Sequence, residues 1–346
     1  MLISYLSPIT DPRKIWIVAF FGLAYPFLLL GNIIIVAYWG LRGRNFWLIP
    51  LVCIGLGYNI LFNNIGFRSS TQKLDTPKEN CLRLMTYNVH NFKPYGEKNT
   101  VNAKKEALTI IASQNPDVVG FQEYYTKPRG RYAFTDTIKK IMHSSHYYFE
   151  PFMQNSGEAM GIAIFSKYPI VNHGLIRLSD ESGSGNQCLF ADIEKQGKIV
   201  RVYSLHLQSI RFDPTDYGYL DEVSQHGKTN FTLSKRIGGK LKRAFIKRSE
   251  QVFKVKEHAA QCSYPYVISG DFNDTPASYA VNQMSKGLKN AFREKGSGMG
   301  RTYNGSFPNY QIDYILASPK LDVDNYWIVK KKLSDHYPVC SDLRIR

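Results

Sequence analysis

The chain has 346 residues, a formal net charge of +16, and 44% apolar and 14% aromatic residues, with no repeat or low-complexity tract. Its five cysteines (Cys53, Cys81, Cys188, Cys262 and Cys340) form no CxxC pair and lie far apart, which excludes a zinc ribbon or a disulfide framework and leaves them as small buried apolar residues. The length allows one large or two ordinary domains, and the charge calls for an anionic partner such as nucleic acid, a phosphoinositide or an acidic lipid surface.

The first 66 residues are not ordinary soluble sequence. Ile15 to Trp39 is almost wholly apolar, broken by Pro26 and Asn32. As a straight helix it would extend about 37 Å against a hydrocarbon core of about 30 Å, enough to cross a bilayer with some tilt. Phe46 to Phe62 is a second, shorter apolar run, with Trp47 and Tyr58 where interfacial aromatics would sit. A buried helical hairpin of a soluble domain is the alternative, but such helices rarely run this long without a polar stripe. No small-residue cleavage site marks a signal peptide. Two N-terminal transmembrane helices in residues 1–66 are therefore predicted. Arg42 and Arg44 in the tight connection argue for a cytoplasmic loop, hence a multi-pass membrane protein with an external C-terminal domain, periplasmic if the membrane is a bacterial inner one. Arg13, Lys14, Arg42 and Arg44 against Asp11 leave +13 on the remainder.

Residues 67–80, rich in Ser, Thr, Lys, Asp and Pro, read as a linker, and residues 81–346 as the soluble domain. Leu82 to Val89 reads as a strand, Val101 to Gln114 as an amphipathic helix, and Asp117 to Gln122 as a buried strand. Gly161 to Ser166 and Ile170 to Val171 follow as strand regions. Cys188 to Glu194 and Ile199 to Leu207 flank Lys195-Gln196-Gly197-Lys198, a hairpin turn. Leu233 to Ala260 is studded with lysine and arginine, either a solvated outer helix or a phosphate- or membrane-tracking surface. Tyr266 to Ser269, Ile312 to Ala317 and Val339 to Leu343 complete the strands. Strands interleaved with helices and hairpins imply α/β architecture with mixed sheets.

These strands deliver polar residues at their C-terminal ends: Asn88, Glu123, His206, then Asp271 and Asn273. Side chains there are loop-proximal and can converge on one cleft. The motifs are Thr-Tyr-Asn-Val at 86–89, Gln-Glu at 122–123, Ser-Leu-His-Leu at 204–207, Gly-Asp-Phe-Asn at 270–273, Ile-Asp-Tyr-Ile at 312–315 and Ser-Asp-His-Tyr-Pro at 334–338. Each tetrapeptide alone is weak. Six in this order resemble the endonuclease/exonuclease/phosphatase superfamily, whose fold is that of deoxyribonuclease I, over Leu82 to the C-terminus.

The resemblance implies a four-layer sandwich of two mixed β-sheets flanked by helices, and hydrolysis of phosphate esters with Mg²⁺, or Mn²⁺ in its place. Glu123 is then the leading metal ligand, because Mg²⁺ takes one or two hard carboxylates; Asn88 and Asp335 stand beside it. His336 and Asp313 are expected to form a dyad, with Asp271 the rival base that activates water. Asn273, Asn88 and His206 are the expected phosphate contacts, His206 resembling the second histidine of the deoxyribonuclease and sphingomyelinase-like branches, which contacts phosphate or protonates the leaving oxygen. Phosphodiester hydrolysis is the leading reading, on nucleic acid or a phospholipid headgroup, with no obligate protein partner. A phosphomonoesterase of the same superfamily is the alternative. A non-catalytic binding protein would show a replacement at Glu123, Asp271, Asp313 or His336, and none is replaced.

Overall fold

Alternation of side chains along each strand decides the layering. On Cys81–Asn88, Leu82 and Leu84 face one side and Met85 and Tyr87 the other, and all four are buried, so the sheet must be covered on both faces. The structure, a computed structural model, describes residues 1–68, 80–92, 101–130, 132–181, 183–305 and 308–346.

Among these residues the strands form two mixed six-stranded sheets and one two-residue ladder. The first sheet runs in the order Leu321–Ile328, Val339–Ile345, Cys81–Asn88, Val118–Thr126, Ala159–Ser166, His146–Gln154; the second runs Lys289–Asn290, Asp313–Ala317, Tyr266–Asp271, Lys198–His206, Gln187–Lys195, Ile170–Arg177. Each has a parallel pair at its centre: Cys81–Asn88 with Val118–Thr126, and Lys198–His206 with Tyr266–Asp271. The inner faces pack Leu82, Leu84, Val118 and Ile164 against Val202, Val267 and Ile315. Helices Val101–Gln114 and Phe134–Met142 cover the outer face of the first sheet, and Phe231–Ala260 with Tyr279–Ser285 that of the second. The outcome is an α/β sandwich in which both central pairs end, at their C-terminal edge, on the same cleft.

Local chemistry accounts for most boundaries. The hairpin between Gln187–Lys195 and Lys198–His206 turns on Gln196 (φ 53°) and Gly197 (φ 73°), the two left-handed residues that a two-residue turn requires. Two long strands escape the sequence pattern, His146–Gln154 and Leu321–Ile328, as do the two-residue strands Gly66–Phe67, Lys289–Asn290 and Ser297–Gly298. The two long strands lie at the edges of the first sheet; His146–Gln154 is half-exposed and holds Pro151, which an edge tolerates.

The N-terminal segment departs from the expectation. Among the described residues no single helix is long and apolar enough to cross a membrane; instead Ile17–Leu23 with Tyr25–Leu41 and Asn45–Leu56 with Tyr58–Asn64 form pairs bent by 60° and 71°. The first bend follows from Pro26, whose ring would clash with the Gly22 carbonyl in a continuous helix. At the second, beside Gly57, the Tyr5 hydroxyl donates to the Cys53 carbonyl at 2.6 Å, satisfying an acceptor that the break releases.

This segment also packs on the sandwich. Tyr25, Leu29 and Ile60 are buried with Ala277; Arg293 donates to Asn59 and Asn63; and Gly66–Phe67 pairs with Ser297–Gly298. The expected linker therefore starts inside a β-ladder, and its residues 69–79 lie outside the described ones. The basic stretch is a 30-residue helix, Phe231–Ala260. Arg236 and Lys240 pair with Asp213 and Asp216, Lys247 pairs with Glu181, and Lys256 donates to the Gln283 and Lys286 carbonyls.

On the first sheet Arg83 and Asp342 sit opposite each other on adjacent strands, fully buried, joined at 2.7 and 3.1 Å, and Arg83 also reaches the Gln114 carbonyl at the C-terminus of the 101–114 helix. Removing one partner leaves a buried charge unmatched. Asp342→Ala should thus cost about 3–5 kcal/mol in chemical denaturation, and the double replacement Arg83→Met/Asp342→Leu should recover much of it. A single replacement costing under about 1 kcal/mol would mean the pair is solvated.

Candidate active site

Backbone geometry aims the strand-end side chains. Between Phe121 and Tyr124 the register with Ala159–Ser166 slips by one residue, and Glu123 in that bulge has φ 51°, a left-handed conformation that turns its carboxylate toward the cleft. Gly270 has φ 142°, and a Cβ there would lie 2.1 Å from the Leu205 carbonyl oxygen, so only glycine lets Tyr266–Asp271 approach its parallel neighbour this closely. The next residue is Asp271. Asn273 follows with φ 53°, bending the chain back so that its backbone N–H donates to Asp271 Oδ1 at 2.8 Å.

Asp271 is the hub. Its Oδ2 accepts from Asn88 Nδ2 at 3.0 Å, across the gap between the sheets, and from Asn273 Nδ2 at 3.2 Å. His206 Nε2 and His336 Nε2 each stand 3.6 Å from the same oxygen. On its other ring nitrogen, His336 Nδ1 meets Asp313 at 2.9 and 3.2 Å. Asp313 is fixed in turn: Thr302 Oγ1 accepts its backbone N–H at 3.0 Å and that of Ile312 at 2.9 Å. Behind the cleft, Gln122 Nε2 donates to Ser204 Oγ at 2.9 Å and joins the sheets a second time.

Glu123 lies on the solvent side of this group, 3.5 Å from Asn88 Nδ2, 3.5 Å from His90 Nδ1 and 4.0 Å from His206 Nε2. Asp335 reaches the same place from the last motif, 3.7 Å from His90 Nδ1, and is held by the Ser334 hydroxyl at 3.1 Å. All the residues singled out in the sequence thus meet in one region. His90 and Tyr303 join them without having been singled out. The Tyr303 ring stands edge-on to His336 at 5.4 Å, and the two residues form an isolated backbone bridge. His90 was open to recognition, two residues past Asn88 in the loop leaving a strand; Tyr303 comes from a loop with no pattern.

The electrostatics divide the site. Burial alone would raise the Glu123 carboxyl, yet His90, His206 and His336 hold it down at about 2, firmly anionic. Asp271 is shifted the other way: burial raises it and Asp313 adds to that, while His336 and His206 offset part. Burial opposes charge on His336, but Asp313 and Asp271 outweigh it and lift the imidazole well above its ordinary value. Asp271, Asp313 and His336 also offer donor atoms all within 4.8 Å of one another, a buried Asp/His cluster of the kind a divalent ion can occupy. The cleft opens into a cavity of about 220 Å³.

A family model described as Endonuclease/Exonuclease/phosphatase family matches residues 85–336, and one described as a domain of unknown function (DUF8431) matches residues 1–64. The chain therefore belongs to the endonuclease/exonuclease/phosphatase family of phosphoesterases. No curated protein matches it. Among solved structures, an endonuclease/exonuclease/phosphatase family protein from Bacteroides thetaiotaomicron is 17% identical with a TM-score of 0.55, over 78% of this chain and 99% of that one. One from Beutenbergia cavernae is 20% identical at 0.53, over 77% and 72%. A mannosyl-6-phosphatase from Bacteroides thetaiotaomicron is 17% identical at 0.50, over 76% and 99%. At these identities the likeness is one of fold.

Because Asp271 is aimed by the residue before it, Gly270→Ala should displace the hub. A shift of about 1 Å can cost about 100-fold in rate, and that is the loss expected in phosphate-ester hydrolysis. Wild-type activity in this variant would mean the strands separate without moving Asp271.

Proposed function

We propose that the chain is a membrane-anchored, divalent-metal-dependent phosphodiesterase. One observation carries the reading: Asn88, Glu123, His206, Asp271, Asp313 and His336, drawn from both sheets, converge within hydrogen-bond or ion-pair reach around one buried carboxylate.

In this reading Asn88, Asn273 and His206 hold the phosphoryl oxygens. Asp271 accepts a proton from the attacking water as its oxygen bonds to phosphorus; the bond from phosphorus to the leaving oxygen breaks, and His206 supplies the proton that the leaving oxygen takes. His336, kept cationic by Asp313, donates toward the equatorial oxygens where negative charge accumulates. Glu123 with Asn88 and Asp335 would hold Mg²⁺ or Mn²⁺: two carboxylates and an amide are hard oxygen donors, and Glu123 is already anionic. An ion there would neutralise charge on the phosphoryl group. The Asp271, Asp313 and His336 cluster is the less suitable holder, because His336 Nδ1 is engaged with Asp313 and Mg²⁺ prefers oxygen to imidazole.

The two bent apolar pairs in residues 1–66 serve as the anchor, with Arg42 and Arg44 at the cytoplasmic turn and residues 81–346 as the catalytic domain on the external face. Hydrolysis of a monoester is the second reading, favoured by the name of the mannosyl-6-phosphatase that shares the fold.

The full-length protein should release p-nitrophenol from bis-p-nitrophenyl phosphate, faster than from p-nitrophenyl phosphate, only with Mg²⁺ or Mn²⁺; activity indifferent to chelator contradicts the metal assignment. His336→Ala and Asp271→Asn should each lower turnover by at least about 100-fold. Wild-type rates in either would remove the residue from the mechanism.

A further inference from the structure

The cavity over Asp271 and His336 has two unlike walls. One carries the polar groups described above; the other is formed by Leu23, Ile210, Phe212, Leu241, Phe245 and Tyr310. Leu23 comes from the N-terminal segment, which is therefore part of the cavity and not only a tether. It is held there: Tyr310 Oη donates to the Leu23 carbonyl at 3.0 Å, and the Phe20 ring meets Phe245 edge-on at 5.4 Å. Ala19, Phe20 and Leu23 pack against the buried Leu241 and Phe245 of the 231–260 helix.

Tyr310 also borders a second cavity, of about 490 Å³, whose lining includes Pro26, Phe27, Leu30 and Met299. From there the exposed face of Tyr25–Leu41 continues with Phe27, Leu30, Ile33 and Ile34, and Asn45–Leu56 adds Phe46, Ile49 and Val52. An apolar track thus leads from the reacting centre, past Leu23 and Tyr310, onto the exposed apolar face of the N-terminal segment. A substrate without hydrocarbon gains nothing from such a track. The rival, a nucleic-acid backbone, needs unpaired cations along its path, and of the cations on the neighbouring helix Arg236, Lys240 and Lys247 are already engaged with Asp213, Asp216 and Glu181.

We infer that the substrate is an amphiphilic phosphate ester of the phospholipid class, with its phosphate over Asp271 and a hydrocarbon chain laid along Leu23 and Tyr310. The inference rests on the phosphodiesterase reading above and specifies its substrate.

The test compares methyl p-nitrophenyl phosphate with dodecyl p-nitrophenyl phosphate below its critical micelle concentration, on full-length protein in maltoside detergent with Mg²⁺. The esters share a leaving group and differ only in hydrocarbon. The dodecyl ester should have a kcat/KM at least about tenfold higher, since burying even two methylenes supplies that factor. Leu23→Asp and Ile210→Asp, on different segments of the apolar wall, should each bring the ratio of the two esters toward one; the methyl ester measured in the same variants reports whether the site is folded. Equal kcat/KM for the two esters in the wild type, or an unchanged ratio in both variants, overturns the inference while leaving the phosphodiesterase reading intact. Faster cleavage of a single-stranded oligonucleotide than of the dodecyl ester does the same in favour of nucleic acid. Hydrolysis of none of the three substrates removes the phosphodiesterase reading itself, and the inference with it.

Discussion

The structure depends on the buried carboxylate of Asp271. Placing an anion between two sheets is costly unless its lone pairs are satisfied and opposite charge stands close. Here Asn88 donates from the first sheet, Asn273 donates from the turn after the strand, and His206 and His336 face the same oxygen. The arrangement needs the sheets at one separation and register, which the inner apolar layer and the Gln122–Ser204 bond supply. Glycine at 270 and left-handed residues at 123 and 273 are local departures from ideal strand geometry that aim the side chains, and such strain is tolerated where the surroundings over-determine it.

From that hub the two acid–imidazole pairs acquire different characters. His336 lies between Asp313 and Asp271 and is held cationic; Glu123, ringed by histidines, is held anionic. A cation donor deep in the cleft and an anionic oxygen donor at its mouth are the two electrostatic elements that an anionic phosphoryl group and a divalent ion would meet. The N-terminal segment adds a third element, an apolar wall through Leu23, so that segment and the cleft share one cavity.

Much of this was legible in the sequence. Apolar runs ending in Asn88, Glu123, His206 and Asp271 announce strands and their functional ends together, because the alternation that buries a strand also leaves its last residues at the loop. The partnership of His336 with Asp313, not with its neighbour Asp335, was expected from the family resemblance and is the geometry observed. Other features had no local signal. The bulge at Glu123 is set by pairing with a strand 40 residues later, and the edge strands His146–Gln154 and Leu321–Ile328 are half-exposed or irregular in register. The apolar length of residues 15–39 concealed the bend that Pro26 enforces, and composition cannot show that Leu23 turns inward onto the cleft. The charge of the 231–260 helix likewise gave no sign that Arg236, Lys240 and Lys247 are paired, since their partners Asp213, Asp216 and Glu181 lie elsewhere in the chain.

The assignment of Asp271 to proton transfer and of Glu123 to the metal is tested most directly by anomalous diffraction from crystals equilibrated with Mn²⁺. The ion should appear against Glu123, with Asn88 and Asp335 around it and the His336–Asp313 pair intact. Manganese seated among Asp271, Asp313 and His336, with that pair broken, would contradict the division of the site described here.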